Sequence, residues 1–453
     1  MRKVGSRVLA GILAVAMVMG MLAPAGAQQR RAPKLQFIRD AEIEHIIRRY
    51  AEPIFEAAGV DGAAVEIALV KDPALNAFVA GGMNLFVHTG LLMQTEEPDE
   101  LIGVLAHEIG HIAGGHLIRS REAVEGASAE AILGMLLGVA AGIASGNAGA
   151  GTAVVLGSQQ MAQRSLLAYS RTQEASADQA ALGFLDQAGI SAKGLETFLD
   201  KLADQELLPE DRQTEYVRTH PMTRNRVDSV HQHVEKSRLR DAAAAPELKD
   251  MHQRMLAKLR GFIQPAVALQ RHKADDPSIP ARYARAIAFY QQGKIAESLS
   301  LIDALIVAEP KNPFFHELKG QVLLENGRVP ESIAPYRKSV EYLPNSALLR
   351  SALAHALIES QDPKALDEAI RHLEEALRME RRSPFSWRLM ATAYGRKGNQ
   401  GMTAYALAEE ALTRGDLATA RGQADKAQTL MPRGSPGWLR AEDIRLTAVK
   451  KRQ

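Results

Sequence analysis

The chain contains no cysteine among its 453 residues. This absence excludes a disulfide framework, a metal site built from thiolates, and a lipid anchor attached to a cysteine behind a leader. A secreted protein of this length does not need disulfides, because its hydrophobic core can be large enough without them.

Aromatic residues are scarce, and the net charge is small. Phenylalanine, tryptophan and tyrosine make up 5% of the chain, and 55 basic residues stand against 53 acidic ones. Because the charges balance and no local basic stripe occurs, the sequence gives no reason to expect a nucleic-acid partner. The hydrophobic fraction of 46% is typical of globular proteins, and the length favours two or three domains.

Residues 1–27 have the composition of a secretory signal peptide. A basic start precedes the uncharged apolar run 8–22, and residues 25–27 offer small side chains for cleavage. The alternative is an uncleaved membrane anchor, but the run is shorter than the ~20 residues that a span needs. We therefore expect cleavage before Gln28 and a periplasmic location.

A second apolar segment, residues 131–163, carries no charged residue. The glycine-rich stretch 146–151 divides it into two pieces, each too short to span a membrane. We interpret it as a pair of helices that either gates the functional site or forms a buried hairpin. Peripheral contact with a membrane surface is a further expectation for this segment.

The region 28–245 is predicted to be α+β, mostly helical with a small sheet. Spacing of apolar residues and turn signals predict a helix, a strand, two short strands around a glycine turn, and a long helix. These elements are expected at residues 40–58, 65–70, 76–79 with 84–88, and 98–122.

The chain beyond residue 246 repeats with a period of 34 residues, which is the period of tetratricopeptide repeats. Residue pairs at this spacing are Pro310 with Pro344, Ala286 with Gly320, and Ser298 with Ser332. We expect a connecting helix within 246–278 and an all-α array of about four repeats over 279–453. About three extra residues are expected near Asp362, and capping helices or a degenerate repeat after Gly415.

His107 and His111 lie four residues apart on the predicted long helix, so both imidazoles project from one face. This spacing suits two corners of a tetrahedral zinc site, with Glu108 as the general base for a water. The alternative is a surface helix with incidental histidines. Apolar neighbours such as Leu105 argue against it, because burying these groups without a partner is costly. One zinc ion per chain is therefore expected.

A zinc peptidase needs a third protein ligand. The metzincin spacing would place a histidine at Leu117, which excludes that class, and His116 is one residue out of register. Another source is a later helix that begins near Glu174. Asp178 shares the face of Glu174 and could accept a hydrogen bond from a zinc histidine. An ordinary acidic helix start would have the same composition.

The order of these motifs resembles that of the gluzincin peptidases that include HtpX and the CaaX prenyl endopeptidases. The marks are the zinc helix, Glu174 with Asp178, and a His-Pro motif at His220 followed by arginine. The resemblance implies that Glu174 is the third zinc ligand. It places His220 near the open position, where it either stabilises the oxyanion or caps the metal at rest. Arg226 would hold this loop through a carboxylate, or else is a surface arginine.

Four upstream residues are similar to the family's segment before its edge strand, which pairs with the substrate backbone. These candidate substrate-binding residues are Asn76, Phe78, Gly82 and Asn84. The whole pattern predicts a periplasmic zinc endopeptidase with helical repeats. By resemblance, its substrates are unfolded or stalled outer-membrane proteins, and its repeats contact the β-barrel assembly machinery.

Two other functions remain open on the sequence. The chain could be a chaperone or assembly scaffold whose peptidase site is latent, since repeat arrays bind partner proteins. It could also be a structural zinc domain, in which four protein ligands close the metal site.

Overall fold

The computed structural model describes residues 36–81, 83–116, 119, 170–203, 208–209 and 212–450, with side chains up to residue 448. The expected signal segment 1–27, the glycine-rich segment 131–163 and Gly82 lie outside these residues. From Ile38 onward, the described residues belong to one compact unit.

Four short strands form a mixed sheet. They are β1 (Phe37–Ile38), β2 (Glu66–Val70), β3 (Ala77–Ala80) and β4 (Asn84–His88), in the order β1-β2-β4-β3. Strand β2 runs parallel to β4, and β3 runs antiparallel to it through a turn at Gly81, where φ is 59°. Residues 77–80 are therefore themselves the edge strand, whereas the sequence placed Asn76 and Phe78 before it.

The first helix, α1 (Ala41–Ala58), has the bounds that its sequence signals predict. The Asp40 side chain accepts hydrogen bonds from the backbone N–H groups of residues 42 and 43, which caps the helix start. Gly59 ends the helix with φ 64°, a conformation that glycine adopts without strain. The apolar face, which includes Ile46 and Ile54, is fully buried.

The next helices carry the residues of the candidate site. They are α2 (Thr89–Gln94), α3 (Pro98–Ala113), α4 (residues 170–188, beginning at the edge of the described part), α5 (Lys193–Leu202), α6 (Glu215–Thr219) and α7 (Arg224–Lys236). Helix α3 is shorter than predicted. It ends at Ala113 because Gly114 and Gly115 follow, and Gly115 has φ 62°.

Glycines allow α3 to approach its neighbours closely. A Cβ on Gly103 would lie 2.7 Å from the backbone nitrogen of Leu195 in α5. A Cβ on Gly110 would lie 2.8 Å from the carbonyl oxygen of Ala177 in α4. Because Gly110 lies within the zinc motif, its missing side chain brings α4 directly against the predicted metal-binding face.

The second half is an array of paired helices, which confirms the predicted all-α architecture. Helices α8 (Pro246–Ile263) and α9 (Pro265–Arg271) lead into it. The array comprises α10 (Ile279–Gln291), α11 (Ile295–Ala308), α12 (Pro313–Glu325), α13 (Val329–Tyr342), α14 (Ala347–Glu359), α15 (Leu366–Met379), α16 (Pro384–Arg396), α17 (Gln400–Thr413), α18 (Leu417–Leu430) and α19 (Pro436–Lys450). The expected extra residues form a short 3₁₀ helix, Pro363–Ala365.

Within one repeat, close packing requires a glycine at position 320. A Cβ at this position would lie 2.8 Å from the ring of Tyr336, so only glycine lets this ring pack between α12 and α13. Helix α8 is more than a connection, because Met255 belongs to the core of the first half and Ala257 to the core of the first repeats. Among the described helices, none is both long and apolar enough to cross a membrane.

Candidate metal centre

Helix α3 presents His107 and His111 towards each other. Their Nε2 atoms lie 3.1 Å apart, and His107 is completely buried. The i, i+4 spacing on a helix produces this convergence, as the sequence predicts. Burial lowers the pKa of His111 to about 4. His111 therefore remains neutral and keeps a lone pair available for a metal.

Helix α4 brings Glu174 to the same point. Its Oε2 lies 3.3 Å from Nε2 of His107, and its Oε1 lies 3.4 Å from Nε2 of His111. Glu174 is buried, yet its pKa is held well below the usual value because the three site histidines outweigh the effect of burial. Glu174 is thus an ionised carboxylate directed at the two histidines.

The residue after α6, His220, completes the cluster. Its Nδ1 lies 3.3 Å from Nε2 of His107 and 3.2 Å from Oε2 of Glu174. The ring stacks on Tyr216 with centroids 4.6 Å apart, and this contact fixes its plane. The sequence alone predicted no role for Tyr216. Its position one helical turn before the His-Pro motif is the signal that could have indicated one.

The spacing of these donor atoms fits a tetrahedral metal ion. Ligands held about 2.0 Å from zinc at tetrahedral corners lie roughly 3.3 Å from one another. The distances among the donors of His107, His111, Glu174 and His220 are 3.1–3.4 Å where measured. These four buried residues form a cluster that can hold a metal ion.

Glu108 lies beside the cluster without a hydrogen bond of its own. It is fully buried, and within the part of the chain described neither carboxylate oxygen has a hydrogen-bond partner. Nε2 of His220 lies 3.5 Å from Oε1 of Glu108. Burial raises the pKa of Glu108, which suits a group that accepts and then returns a proton.

Asp178 orients His107 from behind. Burial raises its pKa, but His107 and Arg226 outweigh burial and lower it to about 2. Asp178 is therefore a carboxylate that can only accept, so Nδ1 of His107 donates to its Oδ1 at 2.8 Å. A metal ion at the cluster would replace the proton on Nε2, and this hydrogen bond would then keep the remaining ring proton on Nδ1.

Arg226 contacts Asp178, Glu174 and the loop after His220. It donates to both oxygens of Asp178 at 2.6 and 2.9 Å, and to the carbonyl oxygen of Pro221 at 3.0 Å. The same guanidinium lies 3.0 Å from Oε2 of Glu174. It is buried, so the expectation of a loop held through a carboxylate describes its contacts better than a surface arginine does.

His116 supports His111 in a similar way, with their Nδ1 atoms 2.9 Å apart. The spacing in the sequence makes His116 a poor candidate for a zinc ligand. A hydrogen bond at Nδ1 of His111 fixes the ring so that Nε2 faces the cluster.

The candidate substrate-binding residues have different surroundings. Asn76 is buried at the start of β3, where its Oδ1 accepts a hydrogen bond of 3.4 Å from Thr219, next to His220. Phe78 stacks on Phe86 with centroids 4.9 Å apart. Asn84 donates to the carbonyl oxygens at 80 and 81 and so closes its own turn.

His107 and His111 of α3 and Glu174 of α4 form a His-His-Glu donor set. Together with the unpaired Glu108, which lies on the same helix as the two histidines, this set is typical of a metallopeptidase centre. Residues 38–234 match the model described as "Peptidase family M48", and residues 283–347 match that of the tetratricopeptide repeat. The chain therefore contains a peptidase domain similar to family M48, followed by tetratricopeptide repeats, and it is a metalloendopeptidase.

Curated relatives agree with this assignment. The "Beta-barrel assembly-enhancing protease" of Yersinia pestis is 26% identical over 371 residues, covering 81% of this chain and 75% of the relative. "Metalloprotease LoiP" of Escherichia coli (strain K12) is 31% identical over 170 residues, covering 36% of this chain and 60% of the relative. Among solved structures, "MamA MSR-1 C2" covers 36% of this chain and 93% of its own, with 19% identity and a TM-score of 0.32.

Proposed function

We propose that the chain is a zinc-dependent endopeptidase of the bacterial periplasm that cleaves unfolded or stalled outer-membrane proteins. The observation that carries this proposal is the unpaired, fully buried Glu108 beside a cluster of metal donors. An unpaired buried carboxylate costs several kcal/mol. The cost is explained if this carboxylate is reserved for a water and a scissile peptide.

His107, His111 and Glu174 would hold the zinc ion, which would supply Lewis acidity for the scissile carbonyl and for the attacking water. Glu108 accepts the proton from the attacking water and donates it to the leaving amine. Asp178 keeps His107 in the tautomer whose Nε2 is unprotonated, and Arg226 keeps Asp178 ionised.

His220 is proposed to cap the metal in the resting enzyme. Its Nδ1 lies 3.2–3.3 Å from the donor atoms of Glu174 and His107, where it would be a fourth protein ligand. Because four protein ligands would close the site, hydrolysis requires this side chain to move away. After moving, its ring would be in reach of the oxyanion, the other role that the sequence allows.

Substrate binding is proposed at the edge strand β3. An extended peptide can add to an edge strand through backbone hydrogen bonds, and this mode tolerates many sequences. Asn76 supports a substrate position along β3, because it contacts Thr219 beside the metal-binding cluster. Its Nδ2 has no hydrogen-bond partner among the described residues and is free to bind a substrate. Phe78 would provide an apolar contact for a substrate side chain, close to Asn84 at the start of β4, and Gly82 is the fourth candidate by resemblance.

The periplasmic location is supported by the signal-like segment 1–27 and by the barrel-assembly name of the relatives. We keep the division into a peptidase domain (28–245), a connecting helix (246–278) and a repeat domain (279–453). The repeats are proposed to contact the β-barrel assembly machinery, since arrays of this kind bind other proteins.

A second candidate function is an assembly scaffold with a latent peptidase. The observation that favours it is a groove of about 590 Å³ between the repeats and the start of α1, lined by Arg39 and Ala41 and, on the repeats, by residues that include Tyr336, His355 and Phe385. Such a concave surface can hold a partner segment whether or not the peptidase acts. If only proteolysis matters, Glu108→Gln is expected to fail in cells that lack the protein. Rescue of outer-membrane integrity by Glu108→Gln to the same extent as by the wild type would favour the scaffold function.

The test of the enzymatic proposal is Glu108→Gln in the full chain. We expect hydrolysis of an unfolded outer-membrane protein to fall by about 10²–10⁴-fold, because the general base is lost. The zinc content should stay unchanged. The matched control is Glu97→Gln, at an exposed glutamate beside the start of α3, which should retain activity. Wild-type cleavage by Glu108→Gln would refute the assignment.

A further inference from the structure

His88, at the end of β4, is a buried histidine that the peptidase centre does not use. It is 1% exposed, and neither ring nitrogen has a hydrogen-bond partner anywhere in the described part of the chain. Both nitrogens of a buried imidazole normally find partners, because leaving them unpaired costs free energy. The two unpaired ring nitrogens of His88 are therefore explained if a ligand binds to them.

Two carboxylates converge on this ring. Asp72 lies in the turn after β2, and Glu215 is the first residue of α6. One ligand atom from each of Asp72, His88 and Glu215 lies within 4.8 Å of the other two. His88 makes no hydrogen bond to either carboxylate, so the three side chains lie near one another without a direct bond from the imidazole.

We propose that Asp72, His88 and Glu215 form a second divalent-cation site, separate from the peptidase centre. One imidazole and two carboxylates suit zinc or a similar transition ion, whereas magnesium and calcium prefer oxygen ligands alone. Asp72 and Glu215 are half-buried, so the ion can enter from solvent and keep water as its remaining ligand.

The cation would connect the sheet to the helix that carries the capping histidine. Helix α6 runs from Glu215 to Thr219, and His220 follows directly. Its start is already held by the N–H of Tyr216, which donates to the carbonyl oxygen of Leu75 at 3.2 Å. A metal bond to Glu215 would fix this start further. This consequence rests on the proposed function of His220, but the site itself does not.

The experiment counts zinc in the purified full chain after equilibration with zinc and removal of the excess, by mass spectrometry of the metal. We expect about two equivalents per wild-type chain and about one fewer in His88→Gln. The matched control is His231→Gln at an exposed histidine of α7, which should keep the wild-type count. An unchanged count in folded His88→Gln would overturn the proposal, and any second ion would then be adventitious.

Two further variants make the outcome independent of folding and of the peptidase centre. Glu215→Gln changes a half-buried ligand at the start of α6, so it tests the same site if His88→Gln does not fold. The double variant His107→Ala/His111→Ala removes two donors of the peptidase centre and should still bind about one equivalent. If this double variant binds none, the second site does not exist. If it binds one and the wild type also binds one, the peptidase proposal fails and the second site stands.

Discussion

Two buried clusters of charge differ in how their members are paired. The junction cluster joins α1, α8, α10 and α12 and consists of Asp40, Glu42, Arg254, Lys258, Tyr283 and Glu317. In it, Lys258 Nζ lies 2.9 Å from Asp40 Oδ2, and Tyr283 donates to Glu42 at 2.7 Å. In the metal centre, ring nitrogens and carboxylate oxygens face one another, and Glu108 has no hydrogen bond.

This difference separates a structural cluster from a functional one. In the junction cluster, Lys258 and Arg254 lie against Asp40 and Glu42, and Tyr283 donates to Glu42, so these two carboxylates have partners within the protein. Glu317 is paired less well, since its Oε2 lies 3.6 Å from Lys258 and has no hydrogen-bond partner among the described residues. In the metal centre, ring nitrogens and carboxylate oxygens instead lie 3.1–3.4 Å from one another, a spacing that suits a cation between them. Asp178 and Glu174 already favour positive charge there: burial lowers the pKa of His107, but the two carboxylates outweigh it and raise the pKa to about 10.

The largest expected effect is on the junction cluster. Lys258→Met should lower the free energy of unfolding by about 3–5 kcal/mol, since it leaves the carboxylates around Lys258 without their shared cation. The control is Lys249→Met on the same helix, where an exposed lysine lies 3.6 Å from Glu97 and contributes little. Urea unfolding measures both variants. Equal stability of the two would show that the junction charges are not structural.

The junction cluster should also respond to pH through Glu317. Burial, opposed by Lys258 and reinforced by Asp40 and Glu42, raises the pKa of Glu317 from 4.5 to about 7. A raised carboxyl pKa stabilises the fold below about pH 4.5, and this contribution is lost as pH rises through about 7.

Glu317→Gln, which stays neutral, should therefore gain stability relative to the wild type between pH 4.5 and 8, by on the order of 3 kcal/mol. The unfolding midpoints of Glu317→Gln and of the wild type, measured across this pH range, test the prediction. A difference between variant and wild type that does not change with pH would contradict the raised pKa.

The metal centre should depend on Asp178 more mildly, because Asp178 does not touch the metal position. Asp178→Asn should weaken zinc binding by about 10–100-fold, since an amide no longer fixes the tautomer of His107. Competition with a chelator measures this affinity. The control is Asp186→Asn on the same helix, whose exposed carboxylate pairs with His233 and should leave zinc affinity unchanged. Equal zinc affinities of Asp178→Asn and Asp186→Asn would show that Asp178 does not contribute to zinc binding.

The smallest expected effect comes from the packing of α4 on α3. Gly110→Ala should cost about 1–3 kcal/mol, because the new Cβ meets the carbonyl oxygen of Ala177 and pushes α4 outward. Gly183→Ala on α4 meets nothing within 4 Å and should be neutral or slightly stabilising. Thermal unfolding compares the two. A tolerated Gly110→Ala would mean that α4 does not depend on this close approach.

Local patterns in the sequence predicted much of the fold and of the metal centre. The cap at Asp40 and the stop at Gly59 bound α1, and the 34-residue period predicted the helical array. Helical spacing brought His107 and His111 together, since an i, i+4 pair needs no tertiary contact. Glu174 and Asp178 shared a helix face for the same reason, although only tertiary packing places that face against α3.

Long-range pairing could not be predicted in this way. The contact of Lys258 with Glu317 joins two helices that no periodic pattern relates. The approach of Asp72 and Glu215 to His88 depends equally on how separate turns meet in the fold. The overestimated length of α3 has a local cause, since apolar spacing continued past Gly115 whereas its left-handed backbone ends the helix.

The most direct test of the central claim is a zinc-edge anomalous crystal structure of the protein, with and without a bound peptide. We predict zinc bound by His107, His111 and Glu174 in both states. His220 should be the fourth ligand only in the free enzyme, with the peptide carbonyl or water replacing it in the complex. Zinc without Glu174 as a ligand, or His220 bound in both states, would contradict the account of a capped peptidase centre.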